Sequence, residues 1–116
     1  MATSKLISVM LMLTFATTII LINVVIVGGK KTWCVSRSEA GTQQLLDALN
    51  YACGAGADCG PIQPGGSCYY PNTLQNHASY AFNSYYQKAR GSCDFVGSAH
   101  IVFNDPSFGQ CVYPSS

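Results

Sequence analysis

Asn72-Thr73-Leu74-Gln75-Asn76-His77-Ala78-Ser79-Tyr80-Ala81-Phe82-Asn83-Ser84-Tyr85-Tyr86-Gln87-Lys88-Ala89-Arg90-Gly91 is the stretch on which the fold turns. It follows Pro71, opens on a residue that caps helices well, and places a glutamine three positions later. Gly91 closes it after Lys88 and Arg90, a basic last turn followed by the residue that most easily leaves the helix. At about 100° per residue, Leu74, Ala78, Ala81, Phe82 and Tyr85 fall on one side. Asn76, Tyr80, Asn83 and Gln87 gather near the opposite side. The stretch therefore predicts a helix with one packed face and one face rich in amides and phenols.

Working outward toward the N-terminus, Gly54 to Gly66 is rich in glycine and holds Pro61 and Pro64, so it reads as a loop. Before it, Ser36-Arg37-Ser38-Glu39 has the spacing of a capping box. Leu45, Leu46, Leu49, Ala52 and Cys53 recur at helical spacing, and Gly54 and Gly56 end the pattern. This predicts an earlier helix starting near Ser36 or Ser38. Toward the C-terminus, Ala99 to Phe103 alternates, Asn104-Asp105-Pro106-Ser107 is a turn, and Phe108 to Tyr113 returns as its partner. Cys93-Asp94-Phe95 is a candidate third strand. The expected class is small α+β, with two helices packed on a small antiparallel sheet and held by disulfides.

The chain has 116 residues, of which 48% are hydrophobic and 9% charged, with six cysteines. Much of the hydrophobicity sits between Leu6 and Val27, where no charged residue occurs. A short start carrying Lys5, an apolar run and Gly28-Gly29 predict a secretory signal peptide over 1–29, cut after Gly29 or Gly28. The run is also long enough for an uncleaved anchor. Lys30 and Lys31 would then favour the cytoplasm, where disulfides do not persist, so export is the reading kept. Residues 30–116, with a core over 33–113, form one small domain. With Lys5 removed its charges balance, and no basic stripe marks a nucleic-acid partner.

Six cysteines in an exported domain imply three disulfides, for which the sequence alone leaves fifteen connectivities. A zinc site needs closely spaced ligand pairs, whereas Cys53 and Cys59 are the nearest cysteines and His77 and His100 stand apart. No metal and no cofactor is expected. Hydrolysis of a glycosidic bond needs two carboxylates at a defined separation. Glu39, Asp47, Asp58 and Asp105 each have a structural explanation in a cap, an exposed helix face or a turn; Asp94, beside a cysteine, is the least explained. No Gly-x-Ser-x-Gly elbow occurs. Catalysis is therefore not expected.

Binding of a neutral sugar suits these residues better. Sugar rings offer apolar faces to aromatic side chains and hydroxyls to amides, and ask for little charge. The candidates are Tyr80, Asn83, Gln87 and Asn76 on the amide face of the second helix, and Tyr69 and Tyr70 just before it. A competing, structural role stands beside each, because most tyrosines of so small a domain fill its core. Trp33, Phe82 and Tyr85 are assigned to that core, His77 to peripheral packing and His100 to a strand.

Trp33-Cys34-Val35, Leu49-Asn50-Tyr51-Ala52-Cys53-Gly54, Asp58-Cys59, Pro61-Ile62-Gln63-Pro64-Gly65-Gly66-Ser67-Cys68-Tyr69, Pro71-Asn72-Thr73-Leu74, Gly91-Ser92-Cys93-Asp94-Phe95 and Asp105-Pro106-Ser107-Phe108-Gly109-Gln110-Cys111 are similar to the plant X8 domain. That family is also classed as carbohydrate-binding module family 43. The resemblance runs from Trp33 to Tyr113. It implies two helices with a small antiparallel sheet, and disulfides Cys34–Cys93, Cys53–Cys59 and Cys68–Cys111. It also implies a non-catalytic module that binds β-1,3-glucan of the callose or laminarin type in the plant cell wall, in some members at plasmodesmata. A glucanase label would then be inherited from relatives whose catalytic domain this sequence does not show. Pro114-Ser115-Ser116 offers no GPI signal, so a membrane enters only if the leader stays uncleaved. The competing class is a secreted, disulfide-rich module that binds another protein.

Overall fold

Thr73 begins the helix around which the other elements pack. In the computed structural model, which describes residues 30–116, its extended backbone and side-chain oxygen cap α2, Leu74–Lys88. The Thr73 hydroxyl accepts from the Asn76 backbone N–H at 3.2 Å and from Asn76 Nδ2 at 2.8 Å. The cap is thus one residue later than the expected Asn72, whose amide donates instead to the Tyr69 hydroxyl at 2.9 Å. The leader expected over 1–29 lies outside the described residues.

The capping box expected at Ser36 does not form. Trp33–Ser36 is a strand, β1, and α1 starts later, at Thr42–Gly54, with Gly41 before it and no side-chain cap. Ser36 uses its hydroxyl on α2, at 3.2 Å from the Gln75 carbonyl and 2.8 Å from Ser79 Oγ. Glu39 is left in solvent beside Arg37 at 3.6 Å. A local capping signal worth about 1 kcal/mol has lost to strand pairing and burial across the molecule. On α1, Leu45 and Ala52 are buried, whereas Leu46 leaves the expected stripe for solvent.

β1 pairs antiparallel with β2, Ala99–Val102, in the register Trp33 to Val102 and Ser36 to Ala99. The expected hairpin of 99–103 with 108–113 is absent: Phe108 and Cys111 make one isolated bridge, and 93–95 forms no strand. Tyr113 explains the difference. Its ring packs edge-on against Tyr80 at 5.4 Å and is buried, which draws the C-terminal segment onto α2 and away from β2.

Among the described residues, two helices, a two-stranded antiparallel sheet and three disulfides make up the fold. The bonds join Cys34 to Cys93, Cys53 to Cys59 and Cys68 to Cys111, the pairs the resemblance implies. Helix α2 lies between α1 on one side and β1 on the other, so Ala78, Tyr80, Ala81, Phe82, Asn83 and Ser84 are all buried. Trp33 and Phe82 are core residues as expected, and Trp33 Nε1 has no hydrogen-bond partner. Between the helices, a single 3₁₀ turn at Gly60–Ile62 buries Ile62. Gly66 lies so close to the Pro61 carbonyl that a Cβ would overlap it. Among the described residues, no helix is long and apolar enough to cross a membrane.

Candidate functional site

The amide face predicted for α2 is not a surface. Tyr80 is 6% exposed and Asn83 is fully buried, which overturns their placement in solvent. An isolated helix would leave that side in solvent, but β1 and the C-terminal segment cover it. Asn83 Oδ1 accepts from the Cys34 N–H at 3.1 Å, and its Nδ2 donates to the Pro114 carbonyl at 2.9 Å. Gln87 is half-buried. Its amide donates to the Thr32 carbonyl at 2.8 Å, and with Tyr86, Arg90, Gly91 and Ser116 it lines a polar hollow of about 410 Å³. Asn76 is committed to the Thr73 cap. Tyr69 is half-buried against His77, and only Tyr70, 75% exposed, projects freely.

A larger opening than this hollow lies where α1, α2 and the turn before β2 meet. A cleft of about 660 Å³ is lined by Gln44, Asp47, Ala48 and Tyr51 of α1, by Tyr85 of α2, and by Ser92, Phe95 and Val96 of the turn before β2. Three aromatic rings meet there. Tyr51 lies 5.9 Å from Tyr85 and 6.5 Å from Phe95, and Tyr85 lies 5.4 Å from Phe95, all with tilted or edge-on planes. Beneath them Phe82 stacks on Phe95 at 4.2 Å and 13°, so core and cleft share one aromatic column. Such contacts add roughly 0.5–1.5 kcal/mol each beyond burial and hold the rings in place.

The turn carrying the far wall is unusual backbone. Arg90, Phe95 and Val96 take positive φ of 51°, 52° and 57° without being glycine. Each costs of order 1–3 kcal/mol unless the surroundings impose it, and residues held this way cluster at binding sites. Here the surroundings are explicit. Cys93 is tied to Cys34, the Phe95 carbonyl accepts from Ser98 Oγ at 2.6 Å, and the Val96 carbonyl accepts from Gln44 Nε2 at 2.6 Å. Gly91 completes the arrangement, because a Cβ there would overlap the Tyr85 ring.

Tyr85 carries a raised phenol pKa because the Tyr51 hydroxyl bonds to it and their charges would repel. Tyr85 therefore presents a neutral hydroxyl at the cleft. Gln44, Ser92 and Asp47 add an amide, a hydroxyl and one carboxylate, the last accepting from Gln43 Nε2 at 2.8 Å. Among the described residues no group of His, Cys, Asp and Glu could hold a metal ion. The residues that sequence reasoning missed here are Tyr51, Phe95 and, as a wall rather than core, Tyr85. One signal was available: Tyr51 falls outside the apolar stripe of α1, and an aromatic there has no core to fill.

A disulfide-stapled α+β domain with a fixed aromatic cleft, rimmed by an amide, a hydroxyl and one carboxylate, is the architecture of a small binding module. Residues 32–100 match the X8 domain, and the chain belongs to that family. It is 51% identical over 90 residues to glucan endo-1,3-beta-glucosidase 1 of Arabidopsis thaliana, covering 74% of this chain but 18% of that protein. It is 50% identical over 91 residues to the major pollen allergen Ole e 10 of Olea europaea, covering 75% of this chain and 74% of the allergen. It is 44% identical over 88 residues to plasmodesmata callose-binding protein 2 of Arabidopsis thaliana, covering 73% and 45%. The chain thus spans less than a fifth of the length of the first of these relatives.

Proposed function

We propose that this chain is a non-catalytic module that binds β-1,3-glucan of the callose or laminarin type in the plant cell wall. The observation that carries this reading is the Tyr51–Tyr85–Phe95 cleft, whose rings match the apolar faces of glucose and whose rim matches its hydroxyls. The names of a callose-binding and several glucan-cleaving relatives support the choice of polysaccharide. Three disulfides and the leader expected over 1–29 support an extracellular setting. Plasmodesmata are one such setting, through the callose-binding relative. The cleft's lining holds Asp47 as its single carboxylate, one short of the pair that glycoside hydrolysis uses.

A single cleft of this size should bind weakly. Each stacked sugar returns little beyond its desolvation and ordering costs, so a short oligomer is expected near the millimolar range, about −4 kcal/mol. The test is calorimetric titration of the full, disulfide-bonded chain with laminarihexaose. Tyr51→Ala should weaken binding about tenfold, the loss of roughly 1.4 kcal/mol of stacking. Because Tyr51 is 60% exposed, the unfolding temperature should move by only a few degrees. A folded wild-type chain that retains no β-1,3-glucan would overturn the reading, and release of reducing sugar from laminarin would overturn its non-catalytic part.

A further inference from the structure

Two long segments of the chain carry no charged side chain. No Asp, Glu, Lys or Arg occurs from Cys59 to Gln87, nor from Pro106 to Ser116. The fold joins these two segments to each other. Cys68 is bonded to Cys111 with their Cα atoms 4.7 Å apart, Tyr80 packs on Tyr113, and Asn83 holds the Pro114 carbonyl. Asp105, at the border, turns its carboxylate onto the N–H and hydroxyl of Ser107.

Around the Cys68–Cys111 bond this uncharged surface is not bland. Tyr70 is 75% exposed, Val112 is 68% exposed, and Phe108, a few residues before Val112, is 39% exposed. Tyr70 is held rather than loose. Its ring stands edge-on to Tyr69 at 4.9 Å and 83°. Tyr69 in turn lies on His77, which bonds the Tyr69 carbonyl at 2.8 Å, and its hydroxyl accepts from Asn72. Exposed Ser67, Asn72 and Gln110 supply hydroxyl and amide groups next to these rings. None of these residues lines the cleft, whose wall is fixed by the separate Cys34–Cys93 bond.

We infer that the Tyr70–Val112 surface is a second carbohydrate contact, taking a neutral glucan chain independently of the cleft. The ligand's identity rests on the glucan reading above. A neutral polymer is favoured over other occupants by charge: an acidic partner or an anionic lipid surface would call for lysines and arginines, which the two segments forming this surface lack. A preordered phenol ring flanked by amides is also the chemistry that stacks sugars while costing little side-chain entropy. Two contacts on one rigid domain let a repeating polymer bind both, so retention on polymer exceeds that on a short oligomer through effective concentration.

The experiment maps ¹⁵N amide shifts of the full, disulfide-bonded chain during titration with laminarihexaose, alongside retention on insoluble β-1,3-glucan particles. The expected result is two groups of shifts with separate affinities, one at Tyr51 and Phe95, the other at Tyr69 to Asn72 and Gln110 to Val112. Tyr70→Ala should abolish the second group, leave the cleft's dissociation constant unchanged, and lower retention on the particles about tenfold. Its native shifts elsewhere serve as the folding control. Shifts at Tyr69 to Asn72 alone support this inference and remove the cleft. Shifts at the cleft alone, or Tyr70→Ala retaining wild-type retention, overturn it. So does sedimentation showing a dimer that Tyr70→Ala dissolves without any sugar response, which would make this surface a contact between copies.

Discussion

Replacing Asn83 by alanine removes three hydrogen bonds at once. The bonds run from the Cys34 N–H at 3.1 Å, from Gln87 Nε2 at 3.3 Å, and to the Pro114 carbonyl at 2.9 Å. Cys34 is fully buried, so its N–H is left without water or partner, a penalty of about 1–3 kcal/mol. The other two bonds are half-buried and return roughly 0.5–1 kcal/mol each. The total is about 3 kcal/mol. At about 4–8 °C per kcal/mol for a domain of this size, the unfolding temperature should fall by roughly 12–24 °C. Differential scanning calorimetry of Asn83→Ala reads this directly. Titration of the folded variant at low temperature should give the wild-type affinity for laminarihexaose. An unfolding temperature within about 2 °C of wild type, together with lost sugar binding, would refute the reasoning and return Asn83 to the surface as a ligand.

Three other outcomes follow from particular contacts. Burial pushes the Tyr113 phenol up to about 12, with Tyr80 adding to the effect, whereas an unfolded tyrosine ionises near 10. Its contribution to stability is therefore complete below about pH 10 and lost as pH rises toward 12. Absorbance at alkaline pH should show late-ionising tyrosines, Tyr113 among them, together with loss of near-ultraviolet dichroism, and simultaneous ionisation of all tyrosines without that loss would contradict it. Paired Cys→Ser changes at Cys34 and Cys93, 59 residues apart, should cost about 4 kcal/mol, against about 2 kcal/mol at Cys53 and Cys59, 6 apart. Equal losses in thermal unfolding would count against the closure argument. Gly91→Ala should push the Tyr85 ring out of place and weaken laminarihexaose binding about tenfold, at a stability cost of about 1–3 kcal/mol. Calorimetry showing unchanged binding would mean that Tyr85 is not part of the wall.

What could be read from the chain was whatever depended on neighbours in sequence or on covalent chemistry. Six cysteines announced three bridges, and the 3.6-residue pattern with basic residues before Gly91 announced α2. What could not be read depended on contacts from far away. Ser36 carries a plausible local cap, yet it becomes the end of β1 because Ala99 lies opposite it. Tyr80 and Asn83 sit at a solvent-facing angle of an isolated helix, yet strand residues near 34 and chain near 113 close over them. The cleft draws on residues 44–51, 85 and 92–96, which only the assembled fold brings together. Its clearest trace in sequence was an aromatic, Tyr51, placed off the apolar stripe.

One feature of α2 bears on how such a domain joins larger chains. Gln87 holds the Thr32 carbonyl and, four residues earlier, Asn83 holds the Pro114 carbonyl. The polypeptide thus enters and leaves through a single doorway, one helical turn wide. Any tether fused before residue 32 or after 114 would swing from the same pivot. The distance from the cleft to its attachment point then differs by about one helical turn between a tether before residue 32 and one after 114.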